Sequence, residues 1–165
     1  MEGGTAPAGG QGGVDPSGGG RVSSVAAMAE TNENIGGHAP AQGVPARRFW
    51  ALRGATTVEE DTAEQVTSRT QLLLSTMLER NGVSHDDIVS VIFTATDDIH
   101  SVFPATAARG IGFGDVPLIC ARELDIAGSQ PMCIRVMMHV EMAPKAQLHH
   151  VYLEGARGLR DDLPE

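Results

Sequence analysis

The sequence is poor in cysteine, and its apolar stretches are short. It has two cysteines in 165 residues, Cys120 and Cys133, at a separation that fits neither a zinc site nor a redox pair. Without a disulfide framework, the simplest prediction is a reducing compartment, the cytoplasm. No apolar run approaches the about 18 residues of a membrane-spanning helix. The N-terminus also lacks the basic start and apolar centre of a secretory signal.

Aromatic side chains and lysine are scarce as well. There are four Phe, one Trp and one Tyr, and Lys145 is the one lysine among 12 Lys and Arg residues. The formal net charge of −9 argues against general binding to nucleic acid or to anionic membranes. Because nearly every cation is an arginine, any cationic pocket here has forked donors that match carboxylates.

Residues 1–46 differ in composition from the rest of the chain. They hold 12 of the 20 Gly and 4 of the 9 Pro and have no aromatic residue or cysteine. Such a stretch cannot bury enough apolar surface to offset the entropy of ordering it. We predict a disordered Gly/Pro-rich extension over 1–46 and one folded domain over 47–165.

The domain carries signals for five strands and two helices. A long helix is predicted over about 61–81, with Asp61 at its start and Asn81-Gly82 at its end. A short helix follows at Ala105–Arg109. Predicted strands are Phe49–Leu52 (ending in a turn at Arg53-Gly54), Ile88–Thr96, Val116–Cys120, Met132–Glu141 and His149–Glu154. This order predicts an α+β (mixed α/β) domain with the two helices on one face of a mixed sheet.

Familiar catalytic constellations are weak in this sequence. His149 and His150 are adjacent, and neighbours on a strand point to opposite faces, so a structural or surface role is favoured over a metal pair. No Gly-x-Ser-x-Gly elbow occurs. Cys120 on an apolar strand is more typical of packing than of nucleophilic chemistry.

Two arginines are more informative. Arg53 follows the first apolar run, and Arg135 interrupts the apolar strand Cys133–Met138. A charge inside such a strand is costly unless it is paired. Two interpretations are equally supported by these residues: a salt bridge, with Glu123 as a candidate partner, or a clamp for a ligand carboxylate.

Six motifs in constant order carry a resemblance to a known family. Together they span about Phe49–Leu163, and the sequence is similar to the small monofunctional bacterial chorismate mutases of the trimeric, pseudo-α/β-barrel class. The motifs are Arg53–Glu59, Thr94–Asp98, His100–Ala105, Cys120–Asp125, Cys133–Met138 and His150–Glu154.

The resemblance implies a reaction and an assembly. Chorismate would rearrange to prephenate in one pericyclic step of aromatic amino-acid biosynthesis, with no metal and no cofactor. The substrate is a dianion whose ether oxygen gains negative charge as the C–O bond breaks, so fixed positive charge beside that oxygen is what the reaction requires. The protein would be a homotrimer with active sites at the subunit interfaces.

The resemblance also assigns roles to individual residues. Arg135, Arg53 and Glu123 would be the catalytic residues. Arg135, which would contact the ether oxygen and a carboxylate, and Arg53, beside the substrate, would stabilise the developing ether-oxygen charge, and Glu123 would orient the substrate hydroxyl. The remaining positions are substrate-binding: Cys120 near the hydroxyl, Tyr152 on a carboxylate, Phe103, Ala105 and Arg109 from the adjacent subunit, and Leu159 and Arg160 in a C-terminal segment over the pocket. Ile119 and Thr106 depart from the family, which can have Thr and Lys there.

Two other functions stay open on the residues. A trimeric imine deaminase would explain the order helix, Asn-Gly, Asp-Asp and apolar strand over Leu72–Asp98, although it leaves the motif at Arg53 unexplained. A non-catalytic trimer that binds small carboxylates would keep the arginines and lose turnover.

Overall fold

A five-stranded mixed sheet organises the computed structural model, which describes residues 46–145 and 147–160. The strand order is β3-β2-β4-β1-β5; β4 is antiparallel to β1 and β2, and the pairs β1–β5 and β2–β3 are parallel. The strands are β1 (Arg48–Thr57), β2 (Ile88–Ala95), β3 (Leu118–Arg122), β4 (Cys133–Met142) and β5 (Val151–Tyr152). The predicted α+β class is therefore confirmed, while the predicted disordered extension lies, except for Ala46, outside the described residues.

Within the described residues, two α-helices and two 3₁₀ helices accompany the sheet. Helix α1 spans Ala63–Asn81 and α2 spans Pro104–Arg109, and the 3₁₀ helices are His85–Asp87 and Glu154–Arg160. No helix within 46–145 or 147–160 is long and apolar enough to cross a bilayer.

The ends of α1 test the predicted caps. Gly82 adopts φ 54° and its N–H reaches back to the last turn, as the Asn-Gly signal predicted. The prediction of Asp61 as the N-cap is wrong: the Thr62 hydroxyl accepts from Gln65 N at 3.2 Å. The Asp61 carboxylate instead accepts from the backbone N–H groups of Ser101 and His100, and hydrogen bonds from these two residues lower the pKa of Asp61.

The predicted turn at Arg53-Gly54 is also wrong, because β1 continues to Thr57. A Cβ atom at Gly54 would lie 2.5 Å from Met77 Sδ, so the glycine lets α1 approach the strand closely. Strand β3 begins directly after Pro117 and lies at a sheet edge, the positions in a sheet where proline is tolerated. Strand β5 is shorter than predicted because Glu154, at φ 51°, already starts a 3₁₀ helix.

The sheet has two unlike faces. On the covered face, side chains of α1 and α2 pack on alternate strand residues and form the main core, which includes Leu52, Leu73, Met77, Phe93, Ala108, Val136 and Met138. The other face, here called the open face, carries Phe49, Arg53, Ile92 and Arg135. The 3₁₀ helix Glu154–Arg160 packs at one end of it, against Ala55 and Cys133.

Candidate active site

Strand alternation places Arg135 on the open face. Ile134 and Val136 are buried, and Arg135 between them is half-buried, with 36% of its side chain exposed. The strand can therefore be apolar at neighbouring positions and still present one guanidinium to the other side of the sheet. In this register Arg135 lies opposite Ala55 of β1 and Thr94 of β2.

A cavity of about 270 Å³ opens beside this guanidinium. Arg53 from β1, Tyr152 from β5 and the C-terminal residues Leu159 and Arg160 line it together with Arg135. Three arginines from three separate elements thus converge on one concave site. The site is cationic in a chain whose net charge is −9.

Glu123 is the carboxylate next to Arg135. Its Oε1 lies 3.5 Å from Arg135 Nε, and the same oxygen accepts a hydrogen bond from the Thr94 hydroxyl. The backbone N–H of Glu123 donates to Ala95 O at 2.9 Å, which holds the residue at the end of β2. The ion pair considered from the sequence is therefore present, and its arginine also lines the cavity.

Two buried polar atoms of this site lack hydrogen bonds. Neither Arg135 Nε nor Tyr152 Oη has a hydrogen-bond partner among the residues that the structure describes. Buried donors are rarely left unsatisfied, because each costs about 1–3 kcal/mol. Both residues line one cavity, so a ligand with oxygen acceptors bound there would satisfy these two donors.

Other predicted site residues lie elsewhere. Cys120 pairs in register with Phe93 and packs against the core on the covered face, and it lines a second cavity of about 570 Å³ together with Phe103. Phe103 is 71% exposed, Ala105 is buried in the core of its own chain, and Arg109 is exposed at the end of α2. The structure therefore brings Arg53, Arg135, Tyr152, Leu159, Arg160 and the neighbouring Glu123 together, and it separates Cys120, Phe103, Ala105 and Arg109 from them.

Two residues that contact this site have no active-site role assigned from the sequence. Thr94 holds Glu123, and its position directly opposite Arg135 follows only from strand register. His150 Nδ1 accepts from the backbone N–H of Arg53 at 3.2 Å. Burial, with the nearby charges of Arg53 and Arg160, lowers the pKa of His150 below its ordinary 6.5.

Within the part of the chain that the structure describes, Cys133 and the potential metal ligands are further candidates for reactive groups. Burial raises the pKa of the Cys133 thiol, which disfavours the nucleophilic thiolate. Over the described ranges no three His, Cys, Asp or Glu side chains are grouped so that they could hold a metal ion.

Comparison with known proteins agrees with this geometry. Residues 49–163 match the model of the family chorismate mutase type I. The chain is 46% identical over 114 residues to the chorismate mutase AroH of Bacillus subtilis (strain 168), covering 68% of this chain and 90% of the relative. It is 49% identical over 114 residues to the AroH of Thermus thermophilus, covering 68% and 93%.

A solved structure shares the fold as well. The chorismate mutase from Clostridium thermocellum superposes with a TM-score of 0.64 at 49% identity, covering 66% of this chain and 98% of that one. Apart from Arg48, the first residue of β1, the family model spans the strands and helices described above and the residues that line both cavities. This chain belongs to the type I chorismate mutase family.

Proposed function

We propose that this protein is an isomerase that converts chorismate to prephenate in the cavity between Arg53, Arg135 and Tyr152. One observation carries the placement of the reaction: Arg135 Nε and Tyr152 Oη are buried and have no hydrogen-bond partner within the described residues, and both residues line this cationic cavity. A small dianion with an ether oxygen supplies acceptors for both donors.

Arg135 is the proposed catalytic residue. The rearrangement breaks a C–O bond and forms a C–C bond in one step, so no nucleophile and no proton transfer is needed. What accelerates it is a fixed positive charge where the ether oxygen becomes negative. Even the low end of enzymatic acceleration corresponds to about 8 kcal/mol, shared between this electrostatic effect and the holding of a reactive conformer. Arginine suits the role because it stays charged and donates from a rigid fork.

Glu123 is the proposed partner of the substrate hydroxyl. The Thr94 hydroxyl and Arg135 both contact Oε1 of its carboxylate. We propose that Oε2 accepts from the substrate hydroxyl. The carboxylate would then be held at one oxygen by the protein and would orient the substrate with the other, while also keeping the Arg135 fork in place.

Arg53 and Tyr152 are the proposed carboxylate binders. Arg53 lies in β1, and Tyr152 lies in the adjacent parallel strand β5, where it pairs with Ala55. Both side chains belong to residues that line the cavity. Leu159 and Arg160 line it from the C-terminal 3₁₀ helix and would cover the bound substrate. Binding both carboxylates restrains the flexible substrate in the folded conformer from which it reacts.

We also propose that the active protein is a homotrimer in the cytoplasm and that a neighbouring subunit completes each site. Arg135 keeps 36% of its side chain exposed in one chain, although electrostatic catalysis is strongest where water is excluded. Exposed apolar side chains on and around the open face support association, among them Phe49, Ile92 and Ile119. Phe103 and Arg109, exposed on the same chain but outside the cavity, are available to a neighbour's site, and Ala105 would contribute through its backbone.

The decisive experiment follows chorismate loss and prephenate formation with the purified protein. Arg135→Ala is expected to lower kcat/KM by about 10²–10³-fold, because one donor to the developing oxyanion is lost. Arg135→Lys is also expected to be poor, because a point charge does not reproduce the fork. Circular dichroism should show that both variants stay folded.

Arg80→Ala is the matched control, since Arg80 is an exposed arginine at the end of α1. It is expected to keep wild-type turnover. Near-wild-type turnover in Arg135→Ala would contradict the role of Arg135. Binding of chorismate without turnover by the wild type would instead indicate a carboxylate-binding trimer.

A further inference from the structure

One backbone N–H of the active-site strand is held by a side chain rather than by another strand. Residues 53 and 55 of β1 direct their amide groups toward β5, since alternate residues of a strand face the same neighbour. Ala55 O accepts from Leu153 N at 2.9 Å there. Strand β5 consists of Val151 and Tyr152, which pair with Gly54 and Ala55. Because its pairing begins only at Val151, the strand does not extend to the N–H of Arg53. The N–H of Arg53 instead donates to Nδ1 of the His150 imidazole, with 3.2 Å between the two nitrogen atoms.

We propose that His150 is a positioning residue. Its unprotonated Nδ1 accepts the hydrogen bond that a strand carbonyl would otherwise accept from Arg53, and this bond holds Arg53 and Tyr152 in one register at the edge of the active site. The proposal rests on the proposed function for its effect on catalysis. Its structural part, the imidazole bond to Arg53 N–H, stands on the geometry alone.

The bond links two residues of the cavity. Arg53 carries the N–H that donates to His150, and Tyr152 lies in β5, which begins directly after His150. Loss of the bond would leave β5 attached to β1 by the pairs Gly54–Val151 and Ala55–Tyr152. A shift of either strand end changes where the guanidinium of Arg53 and the hydroxyl of Tyr152 meet a substrate, and small displacements of positioning groups are costly in rate.

The protonation state of His150 decides whether the bond can form. A neutral ring with its proton on Nε2 accepts at Nδ1, whereas an imidazolium has a proton on both nitrogens and cannot accept. The charged groups that act on the ring are Arg53 of β1 and Arg160 of the C-terminal 3₁₀ helix, and both are cations. Partial burial and these two charges lower the pKa of His150, so the accepting form is the one present at neutral pH.

Two substitutions test whether the hydrogen-bond acceptor at position 150 is what matters. In His150→Asn, Oδ1 takes the place of Nδ1, so the acceptor is kept and cannot be protonated. In His150→Ala the acceptor is lost. Near neutral pH we expect His150→Ala to lower kcat/KM for chorismate by about three- to tenfold, which is the effect of one neutral hydrogen bond. His150→Asn should recover most of that loss.

His149→Ala is the matched control. His149 is the preceding residue, and it is exposed. Its backbone makes two hydrogen bonds of 2.8 Å with the Asn81 side chain, one from His149 N to Oδ1 and one from Nδ2 to His149 O. Wild-type kcat/KM is expected. A loss in His149→Ala as large as in His150→Ala would overturn the proposal, because it would show a general sensitivity of this segment.

Acid conditions supply a readout that is independent of turnover. The folded pKa of His150 lies below 6.5, so the unfolded chain binds more protons there and stability is lost as the pH falls from 6.5 toward the folded pKa. Well above pH 6.5 the ring is neutral in both the folded and the unfolded chain, so this histidine does not make the free energy of unfolding depend on pH. The melting temperature of His150→Asn should therefore fall less than that of the wild type between neutral and mildly acidic pH.

Nitrogen chemical shifts of His150 should report the Nε2–H tautomer.

The outcomes are distinguishable. If the wild type turns over chorismate but His150→Asn is no better than His150→Ala, the positioning role is overturned. Equal turnover of His150→Ala and the wild type would overturn it too. If the wild type does not turn over chorismate, the proposed function fails, and the tautomer measurement still decides whether the imidazole holds Arg53, because a ring with its proton on Nδ1 cannot accept from that N–H.

Discussion

The two faces of the sheet differ in how far one chain completes them. On the covered face, α1 and α2 bury Phe93, Val136 and Met138 fully or nearly so. On the open face, the neighbouring residues Ile92 and Arg135 keep more than a third of their surface or side chain exposed. The same strands β2 and β4 supply both sets, so the contrast comes from alternation along the strand and not from separate segments.

The difference separates stability from chemistry. Apolar burial is non-directional and roughly proportional to area, so the covered face stabilises the fold with ordinary aliphatic and aromatic side chains. The open face holds an ion pair, two unsatisfied donors and exposed apolar side chains within the described residues, and these are costs for an isolated chain. A substrate and a second subunit would offset them.

The largest expected effect is on the covered face. Phe93→Ala should lower the free energy of unfolding by about 3–5 kcal/mol, because it removes a fully buried aromatic ring and leaves a cavity. Turnover per folded molecule should stay within about threefold of the wild type. Chemical denaturation at one fixed protein concentration measures the first quantity.

Phe93→Leu is the milder companion if the alanine variant does not fold. The opposite behaviour is expected of Arg135→Ala, which should lose turnover and keep most of its stability. If Phe93→Leu abolished turnover while remaining folded, the two faces would not divide stability from catalysis in this way.

Sequence patterns predicted the covered face better than the open one. The helical spacing of Leu73, Leu74 and Met77 and the β-branched run from Ile88 predict α1 and β2 nearly to their ends, because burial on one side imposes a period. The turn expected at Gly54 failed because glycine marks both turns and close approach, and only the position of Met77 distinguishes them. Asp61 and Thr62 are both good caps, and the competing bonds of Asp61 to the loop at His100 decide between them.

The candidate site required more than pattern. Arg135 was conspicuous as a charge in an apolar strand, and Glu123 was a candidate for its partner. That Tyr152 and Arg53 share its cavity depends on the parallel pairing of β1 and β5, which two-residue strands do not reveal in sequence. The acceptor role of His150 has the same origin, because a single side chain replaces a missing strand residue.

A smaller effect is expected from a charge on the open face. Phe49 is 59% exposed and stacks on His139, with ring centroids 5.5 Å apart. If this face is buried between copies of the chain, Phe49→Asp should weaken the trimer, because an unpaired carboxylate in an apolar interface is costly. The molar mass by light scattering should then fall toward that of a monomer as the protein is diluted.

Leu72→Asp is the matched control on the outer side of α1. Leu72 is 49% exposed, so a carboxylate there replaces a comparable apolar side chain outside the sheet. Its molar mass should remain that of the wild type. Dissociation by Leu72→Asp with no effect of Phe49→Asp would place the association on the helical side and would remove the open face as the interface.

The smallest expected effect is that of removing residues 1–46. Their composition predicts disorder, so the shortened protein should keep its molar mass and its kcat/KM, with an unfolding free energy within about 0.5 kcal/mol of the full chain. Arg47 marks the boundary, since its guanidinium bonds Asp87 Oδ1 at 2.6 Å and also reaches Glu141 O. A chain that lacks Arg47 as well should lose up to about 1 kcal/mol more, the usual range for a partly exposed ion pair. A shift to monomers on removing 1–46 alone would show that the extension takes part in assembly, and the division of the molecule into two faces would then be incomplete.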